Sequence, residues 1–146
     1  MSILLIGEYQ HNIDQKGRLI MPAKFREDIG SHFYVTKGLD TCLRAYSLEE
    51  WTKYMEKINL LPDSDKMARL FKREVLANSV ECEVDKQGRI LISGKLRDYA
   101  HLEKDVVIIG QSTYIEIWNK DEWENYQTGE EISLDDLAGQ MSSYGL

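Results

Sequence analysis

The chain has 146 residues, 42% hydrophobic, 10% aromatic and 29% charged, with two prolines and two cysteines, a globular composition that excludes collagen-like, disordered and disulfide-rich classes. A chain of this length buries about 68–70% of its unfolded surface, enough for one medium domain or two small intertwined ones. The net charge of −7 and the pI near 5.0 argue against a nucleic-acid partner on average, so the distribution of charge decides the matter.

In chain order, the run Ile3-Leu4-Leu5-Ile6 has no basic residue ahead of it and Glu8 soon after, and is too short for a signal peptide or a membrane span. Leu19-Ile20-Met21 follows a Gly-containing turn and reads as a short buried strand. Pro22 suits the first turn of a helix, and Ala23 to Ile29 then places Phe25 and Ile29 on one face. Phe33-Tyr34-Val35-Thr36 is a strand, and Gly38-Leu39-Asp40 is a hairpin connection into Thr41–Tyr46. Ser47 reads as a helix N-cap, with Glu50 completing a capping box. Pro62-Asp63-Ser64-Asp65 breaks that helix from a second one, in which Met67, Leu70, Phe71 and Val75 form an apolar stripe. Ile90-Leu91-Ile92 is again a short buried strand. Val106 to Ile109 is a strand, and Gly110-Gln111-Ser112 leads into Thr113–Trp118, where Tyr114, Glu116 and Trp118 alternate with Ile115 and Ile117. Asn119 caps a further helix, and a polar, acidic tail follows Gln127.

Two segments of this series are copies. Ile13-Asp14-Gln15-Lys16-Gly17-Arg18-Leu19-Ile20-Met21-Pro22-Ala23-Lys24-Phe25-Arg26-Glu27 aligns without gaps on Val84-Asp85-Lys86-Gln87-Gly88-Arg89-Ile90-Leu91-Ile92-Ser93-Gly94-Lys95-Leu96-Arg97-Asp98 at an offset of 71. With one residue inserted, Thr41 falls on Thr113, Leu43 on Ile115, Tyr46 on Trp118 and Glu50-Trp51 on Glu122-Trp123, at an offset of 72. The chain is a tandem duplication with repeats at 7–53 and 78–124, a helical connector at 54–77 and an acidic tail at 125–146. Two copies are too few for a solenoid or propeller, which needs about three.

The charges follow this organisation. Glu116 to Asp136 holds eight acids and the single base Lys120, a net of −7 that equals the excess of the whole chain. Asp14–Arg26 and Asp85–Arg97 are each +3, dense enough to form an electrostatic footprint on an acidic protein.

The constellation that carries chemistry is Asp-x-x-Gly-Arg, present in both repeats. Gly17 and Gly88 permit a positive φ and a close backbone approach. Asp14 and Asp85 can bond turn amides and so orient the arginine that follows. Arg18 and Arg89 supply planar, permanently charged forks suited to phosphate or to a guanine edge. One such turn alone reads as an ordinary solvated hairpin. Recurrence of Asp, Gly, Arg, Lys and Arg at five matched places favours a binding surface made of Lys16, Arg18, Lys24, Arg26, Lys86, Arg89, Lys95 and Arg97, shaped by Asp14, Gly17, Asp85 and Gly88. On this reading Gly17→Val abolishes binding and leaves the fold intact.

Catalysis finds little support. The sequence has no GxxxxGK[ST], GxGxxG, HExxH or GxSxG pattern. His11, His32 and His101 are scattered, and His32 and His101 read as surface or capping residues. Asp14 and Asp85 imitate a carboxylate pair, but an adjacent arginine favours an ion pair over a raised pKa. Cys42 and Cys82 lie 40 residues apart and form no CxxC pair, so neither a metal site nor a disulfide framework is indicated and a reducing cytoplasm fits. Tyr46, Trp51, Trp118 and Trp123 sit at matched strand-to-helix positions and read as core. No enzyme activity, cofactor, metal or small-molecule substrate is expected.

Asp14–Pro22, Asp85–Ile92 and Ile115-Glu116-Ile117-Trp118 together resemble the bacterial MraZ family, and the likeness extends from about Gly7 to Trp123. That resemblance implies an α+β fold in which two tandem AbrB-like swapped-hairpin units interlace into one pseudo-symmetric β-barrel with flanking helices. It implies a cytoplasmic, nucleoid-associated regulator of transcription that assembles as a ring-shaped homo-oligomer. Its expected partner is double-stranded DNA, at repeated boxes upstream of its own operon of cell-division and cell-wall genes, with Arg18 and Arg89 as the leading contacts. Where second repeats of the family often carry proline after the strand, this chain has Ser93-Gly94. An alternative role is an AbrB-like protein-interaction module of the antitoxin type; a nucleotide-handling enzyme is the weaker one, because the catalytic motifs are absent.

Overall fold

The computed structural model describes residues 4–129 and 132–146, the side chains of 127–129 excepted. The first repeat runs β1 (Glu8–Asn12), β2 (Arg18–Ile20), α1 (Ala23–Ile29), β3 (His32–Lys37), β4 (Leu43–Ser47) and α2 (Leu48–Asn59). After α3 (Lys66–Ala77) the series recurs as β5 (Val80–Glu83), β6 (Arg89–Leu91), α4 (Gly94–Ala100), β7 (Asp105–Gly110), β8 (Ile115–Asn119) and α5 (Lys120–Gly129), followed by α6 (Leu134–Gln140) and a 3-10 turn at Met141–Tyr144. Both short helices begin at matched positions although Pro22 has no counterpart: the Ser93 hydroxyl caps α4 by accepting from Leu96 N at 3.4 Å.

The strand pairing interlaces the repeats. β1 pairs with β7 of the second repeat, and β5 pairs with β3 of the first, both antiparallel. β4 and β8 join the two β3–β4 and β7–β8 hairpins side by side. The result is a six-stranded antiparallel sheet in the order β1-β7-β8-β4-β3-β5, with β2 and β6 paired as a separate ribbon. The expected barrel is therefore corrected: the sheet is open, with β1 and β5 as its edges. Closure would need β1 to pair with β5. The chain instead leaves each edge through the Asp14 and Asp85 turns, and what adjoins the edges is the ribbon, β2 beside β1 and β6 beside β5.

One core fills the space between sheet and ribbon. Leu19, Met21, Phe25, Phe33, Val35 and Ile108 are completely buried in it. The β2 and β6 runs are buried on one face only, since Leu19, Met21, Ile90 and Ile92 point inward while Ile20 and Leu91 are 44% and 61% exposed. Period-2 alternation wins over the uniformly apolar composition of the run. On the far side of the sheet α5 covers β7 and β8, burying Cys42, Val107, Ile109 and Trp118 in a second cluster against Trp123. This makes β7 apolar on both faces. In the first repeat α2 plays the same part, with Trp51 stacked on Tyr34 at 5.1 Å and tilted against Tyr46 at 5.7 Å.

The connector is less buried than its pattern suggests. Ser47 caps α2 through Glu50 N at 3.2 Å, but the Glu50 carboxylate bonds Lys53, so only half of the capping box forms. In α3 only Val75 is buried; Met67, Leu70 and Phe71 are 70%, 46% and 43% exposed. The buried Thr36 hydroxyl ties this helix to β3 by donating to the Val75 carbonyl at 3.2 Å. The acidic tail is not uniformly irregular, because Ser133 caps α6 through Asp136 N at 3.1 Å. Glu130 and Glu131 of the expected acidic run lie outside the described residues.

Phe25 occupies the core beneath the ribbon, with the Tyr9 ring edge-on at 5.0 Å. Phe25→Ala is expected to lower stability by about 3–5 kcal/mol, as large-to-small changes at dry aromatic sites do, which equilibrium urea unfolding measures.

Candidate nucleic-acid interface

Each Asp-x-x-Gly-Arg segment closes on itself in the same way. Asp14 Oδ1 accepts from the backbone amides of Lys16 at 3.0 Å and Arg18 at 2.8 Å, while Oδ2 accepts from Arg18 Nε at 2.7 Å. Asp85 repeats the arrangement with Gln87 N at 2.9 Å, Arg89 N at 2.8 Å and Arg89 Nε at 2.9 Å. Gly17 and Gly88 complete the turns at φ values of 87° and 79°, donating to the Asp14 and Asp85 carbonyls at 3.0 Å each. The carboxylates are thus acceptors that fix a loop. The Arg18 amide above all, with its guanidinium, holds the Asp14 carboxyl below the usual 3.8, and Arg89 does the same for Asp85. A depressed carboxyl is the opposite of what a general acid needs.

The two turns are then locked to each other. Ile92 N donates to the Gly17 carbonyl at 2.8 Å and Met21 N donates to the Gly88 carbonyl at 2.9 Å. Between these bonds β2 and β6 pair with Arg18 opposite Leu91, Leu19 opposite Ile90 and Ile20 opposite Arg89. The ribbon therefore has a buried Leu19–Ile90 face and an outer face of two arginines and two aliphatic side chains. Both +3 stretches converge on it. Lys16 and Lys86 are exposed at the turn tips, and Lys24 and Lys95 are exposed on α1 and α4. Arg18 and Arg89 keep 36% and 28% of their side-chain surface. Since Nε makes the bond to aspartate, the terminal guanidinium nitrogens remain to face a second acceptor.

Arg26 and Arg97 are placed differently from the other six cations. Both are half-buried, each against the glycine turn of the opposite repeat. A Cβ on Gly17 would lie 2.8 Å from Arg97 Nε, and one on Gly88 would lie 2.5 Å from Arg26 Nη1. Arg97 Nε donates to the Ile92 carbonyl at 3.1 Å. A sequence reading had no means of finding this crossed packing, which depends on the strand swap. It also missed Ile20 and Leu91 as outward-facing members of the ribbon, although the alternation around Leu19 and Ile90 carried the signal.

The remaining candidates fall where structural roles explain them. His101 is the left-handed C-cap of α4, its carbonyl accepting from Asn119 Nδ2 at 2.7 Å and its ring hydrogen-bonded to Glu122. Burial raises the Cys82 thiol to about 11 and pushes the Cys42 thiol higher still. Among the described residues no group of three or more His, Cys, Asp or Glu could hold a metal ion, and no helix is long and apolar enough to cross a membrane.

Comparison with known proteins returns a family described as "MraZ protein, putative antitoxin-like", matched twice, over residues 4–74 and 75–142. A protein of Caldanaerobacter subterraneus subsp. tengcongensis named transcriptional regulator MraZ is 52% identical over 143 residues, covering 98% of this chain and all of that protein. Proteins of the same name from Acetivibrio thermocellus and Thermoanaerobacter sp. are 53% and 51% identical with the same coverage.

Two measurements check the turn. Carbon-detected NMR titration should place the Asp14 and Asp85 midpoints below 3.8. In Arg18→Ala the Asp14 midpoint should rise only part of the way, because the amide bonds persist. A depressed carboxyl stabilises the folded turn above its unfolded pKa, and this contribution disappears as pH falls through the folded value. The expectation that Gly17→Val leaves the fold intact is overturned, since a Cβ there would stand 2.7 Å from the Ile92 carbonyl oxygen. Even Gly17→Ala should destabilise the chain, adding this clash to about 1–3 kcal/mol of positive-φ strain. Gly139→Ala, with nothing within 4 Å, should be neutral or slightly stabilising in the same urea titration.

Proposed function

The chain belongs to the MraZ family, and on that premise we propose that it is a sequence-specific DNA-binding transcriptional regulator. It acts on repeated boxes upstream of its own cell-division and cell-wall operon, in the cytoplasm at the nucleoid, and has no catalytic step. The observation that carries this reading is the union of both basic turns on one ribbon, with Arg18 and Arg89 pre-aimed by aspartate. Lys16, Lys24, Lys86 and Lys95 surround that ribbon and meet phosphates. Arg26 and Arg97 brace the opposite turn and contribute charge from its margin. Exposed Ile20 and Leu91 suit contact with thymine methyl groups in a groove. Repeats at 7–53 and 78–124 supply one turn each, joined by the connector at 54–77, with the tail at 125–146 outside the interface.

Acidity makes assembly part of the mechanism. At long range a single subunit of charge −7 approaches a phosphate polymer as an anion, and gains only a few local contacts from one box. A closed ring of identical subunits repeats the basic ribbon, so that after one box is held the next is captured at high effective concentration. Successive boxes should be spaced near one helical turn, about 10–10.5 bp, so that ribbons meet the same side of the duplex.

The test is a titration against fragments of the upstream DNA carrying one, two and three boxes. Affinity should climb steeply with box number and drop when about half a helical turn, ~5 bp, is inserted between two boxes. The Arg18→Ala, Arg89→Ala double variant should lose most binding. Log affinity should fall with log salt by about 0.9 per phosphate neutralised, and Lys24→Ala should reduce that slope by about one without changing box preference. Affinity that ignores box number and spacing removes the ring mechanism. Wild-type affinity in the double variant removes the turns from the interface and favours a protein-interaction role of the antitoxin type.

A further inference from the structure

Two apolar faces of the chain are left uncovered, and they are complementary. The outer side of α3 presents Met67, Leu70 and Phe71, at 70%, 46% and 43% exposure, with exposed Lys66 and Arg73 beside them. Neither cation forms an ion pair among the described residues. Val75, at the C-terminal end of the same stripe, is the one residue of the helix buried in its own subunit, and Phe71 borders a cavity with Tyr54 and Leu39; Met67 and Leu70, with the outer edge of the Phe71 ring, are left facing outward.

The second face belongs to the C-terminal segment. Leu134, Leu137 and Met141, with Tyr144 one turn on, recur at helical spacing and are 80%, 45%, 38% and 80% exposed. Asp135 and Asp136 stand in the first turn of α6, and from Ile132 to the last residue there is no Lys, Arg or His. None of the seven residues of α6 is buried. A helix this short is marginal in water without tertiary packing, and none of its residues is buried against its own subunit. The chain thus carries a short acidic helix whose apolar stripe is exposed along its length, and a longer basic helix whose apolar stripe is buried only at Val75.

We infer that α6 and the 3-10 turn of one subunit dock along the outer face of α3 of a neighbouring copy, Leu134, Leu137 and Met141 meeting Met67, Leu70 and Phe71, with Asp135 and Asp136 near Lys66 and Arg73. Donor and acceptor are different surfaces, so the contact is heterologous: each subunit offers a tail to the next and receives one from the previous. Such a contact closes into a ring when the rotation between subunits allows it. The inference rests on the self-assembly part of the proposed function and names the surfaces that produce it; it is independent of DNA.

The experiment uses full-length chains in which exposed positions alone are changed. Leu70→Cys and Leu137→Cys proteins are co-expressed, purified, oxidised gently and run without reductant. A covalent dimer is expected in the mixture and in neither variant by itself, and the Leu70→Cys, Leu137→Cys double variant should give a ladder of covalent multimers. In parallel, sedimentation of Asp135→Lys, Asp136→Lys protein should show dissociation constants raised at least about tenfold, the equivalent of 1.4 kcal/mol. Adding Lys66→Glu and Arg73→Glu should restore assembly. A wild-type chain that sediments as a monomer throughout its soluble range overturns both the ring and this contact. A wild-type oligomer without the 70–137 cross-link, with assembly indifferent to the charge changes, overturns this contact and leaves the ring standing. A double variant that cross-links only within one chain shows the tail folding on its own α3 and likewise overturns it.

Discussion

Two backbone hydrogen bonds, from Ile92 N–H to the Gly17 carbonyl and from Met21 N–H to the Gly88 carbonyl, hold the repeats together at the point on which the proposed interface depends. β2 and β6 are three residues each, far below what an isolated two-stranded sheet needs to persist in water, and no hairpin joins them. They survive because the bonds at their ends lie beside Met21 and Ile92, which are 0% and 1% exposed, where water cannot compete for the donors. The glycines follow from the same constraint. Each must turn the chain at positive φ and also let the other repeat approach its carbonyl, so that removing a hydrogen from Gly17 in favour of a methyl group disturbs both repeats at once.

The aspartate of each turn adds orientation more than stability. An exposed Arg–Asp pair contributes little to folding free energy, and these two pairs are more than a quarter exposed on either partner. What the pair does is restrict the rotamer freedom of Arg18 and Arg89 in the unbound chain, so that under the proposed function less entropy would be lost on binding DNA. Because one carboxylate oxygen serves two amides and the other serves Nε, loop shape and arginine direction are set together. The acidic residues do not dilute this surface evenly. Glu116 is engaged in β8, where it accepts from Trp118 Nε1 at 3.2 Å, and Glu122 bonds His101.

Most of the local structure could be read in the sequence because it arises from local chemistry. The Asp-x-x-Gly-Arg turns, the Ser47 and Asn119 caps, the helix carrying Phe25 and Ile29, and both hairpins all follow from residues close in sequence. The offset between repeats was less legible: β3 and β7 are related by 73 residues, because the two residues after α1 become four after α4, His101 to Lys104, while the hairpin Gly38–Cys42 is one residue longer than Gln111–Tyr114. What could not be read is what the swap creates, namely the open sheet, the crossed packing of Arg26 and Arg97, and the sharing of each turn between repeats. The α6 helix is a different case. Ser133-Leu134-Asp135-Asp136 is a capping signature, and the acidic composition around it obscured the apolar spacing of Leu134, Leu137 and Met141.

Fusion of two repeats into one chain permits a division of labour that two identical chains could not have. At the ribbon the repeats are nearly interchangeable: the same aspartate geometry, the same φ region, reciprocal hydrogen bonds and matched helix starts, with Ser93 capping where Pro22 fixes the backbone. Away from the ribbon they diverge. The first repeat continues into the α2–α3 pair, which leaves an uncovered basic stripe, while the second continues through α5 into an acidic segment with an uncovered stripe of its own. A pseudo-two-fold surface suits a duplex, whose two strands are themselves related by two-fold axes, whereas a heterologous contact needs two unlike surfaces on one molecule. Tandem duplication supplies both in one polypeptide, symmetry retained where the arginines project and lost where subunits would meet.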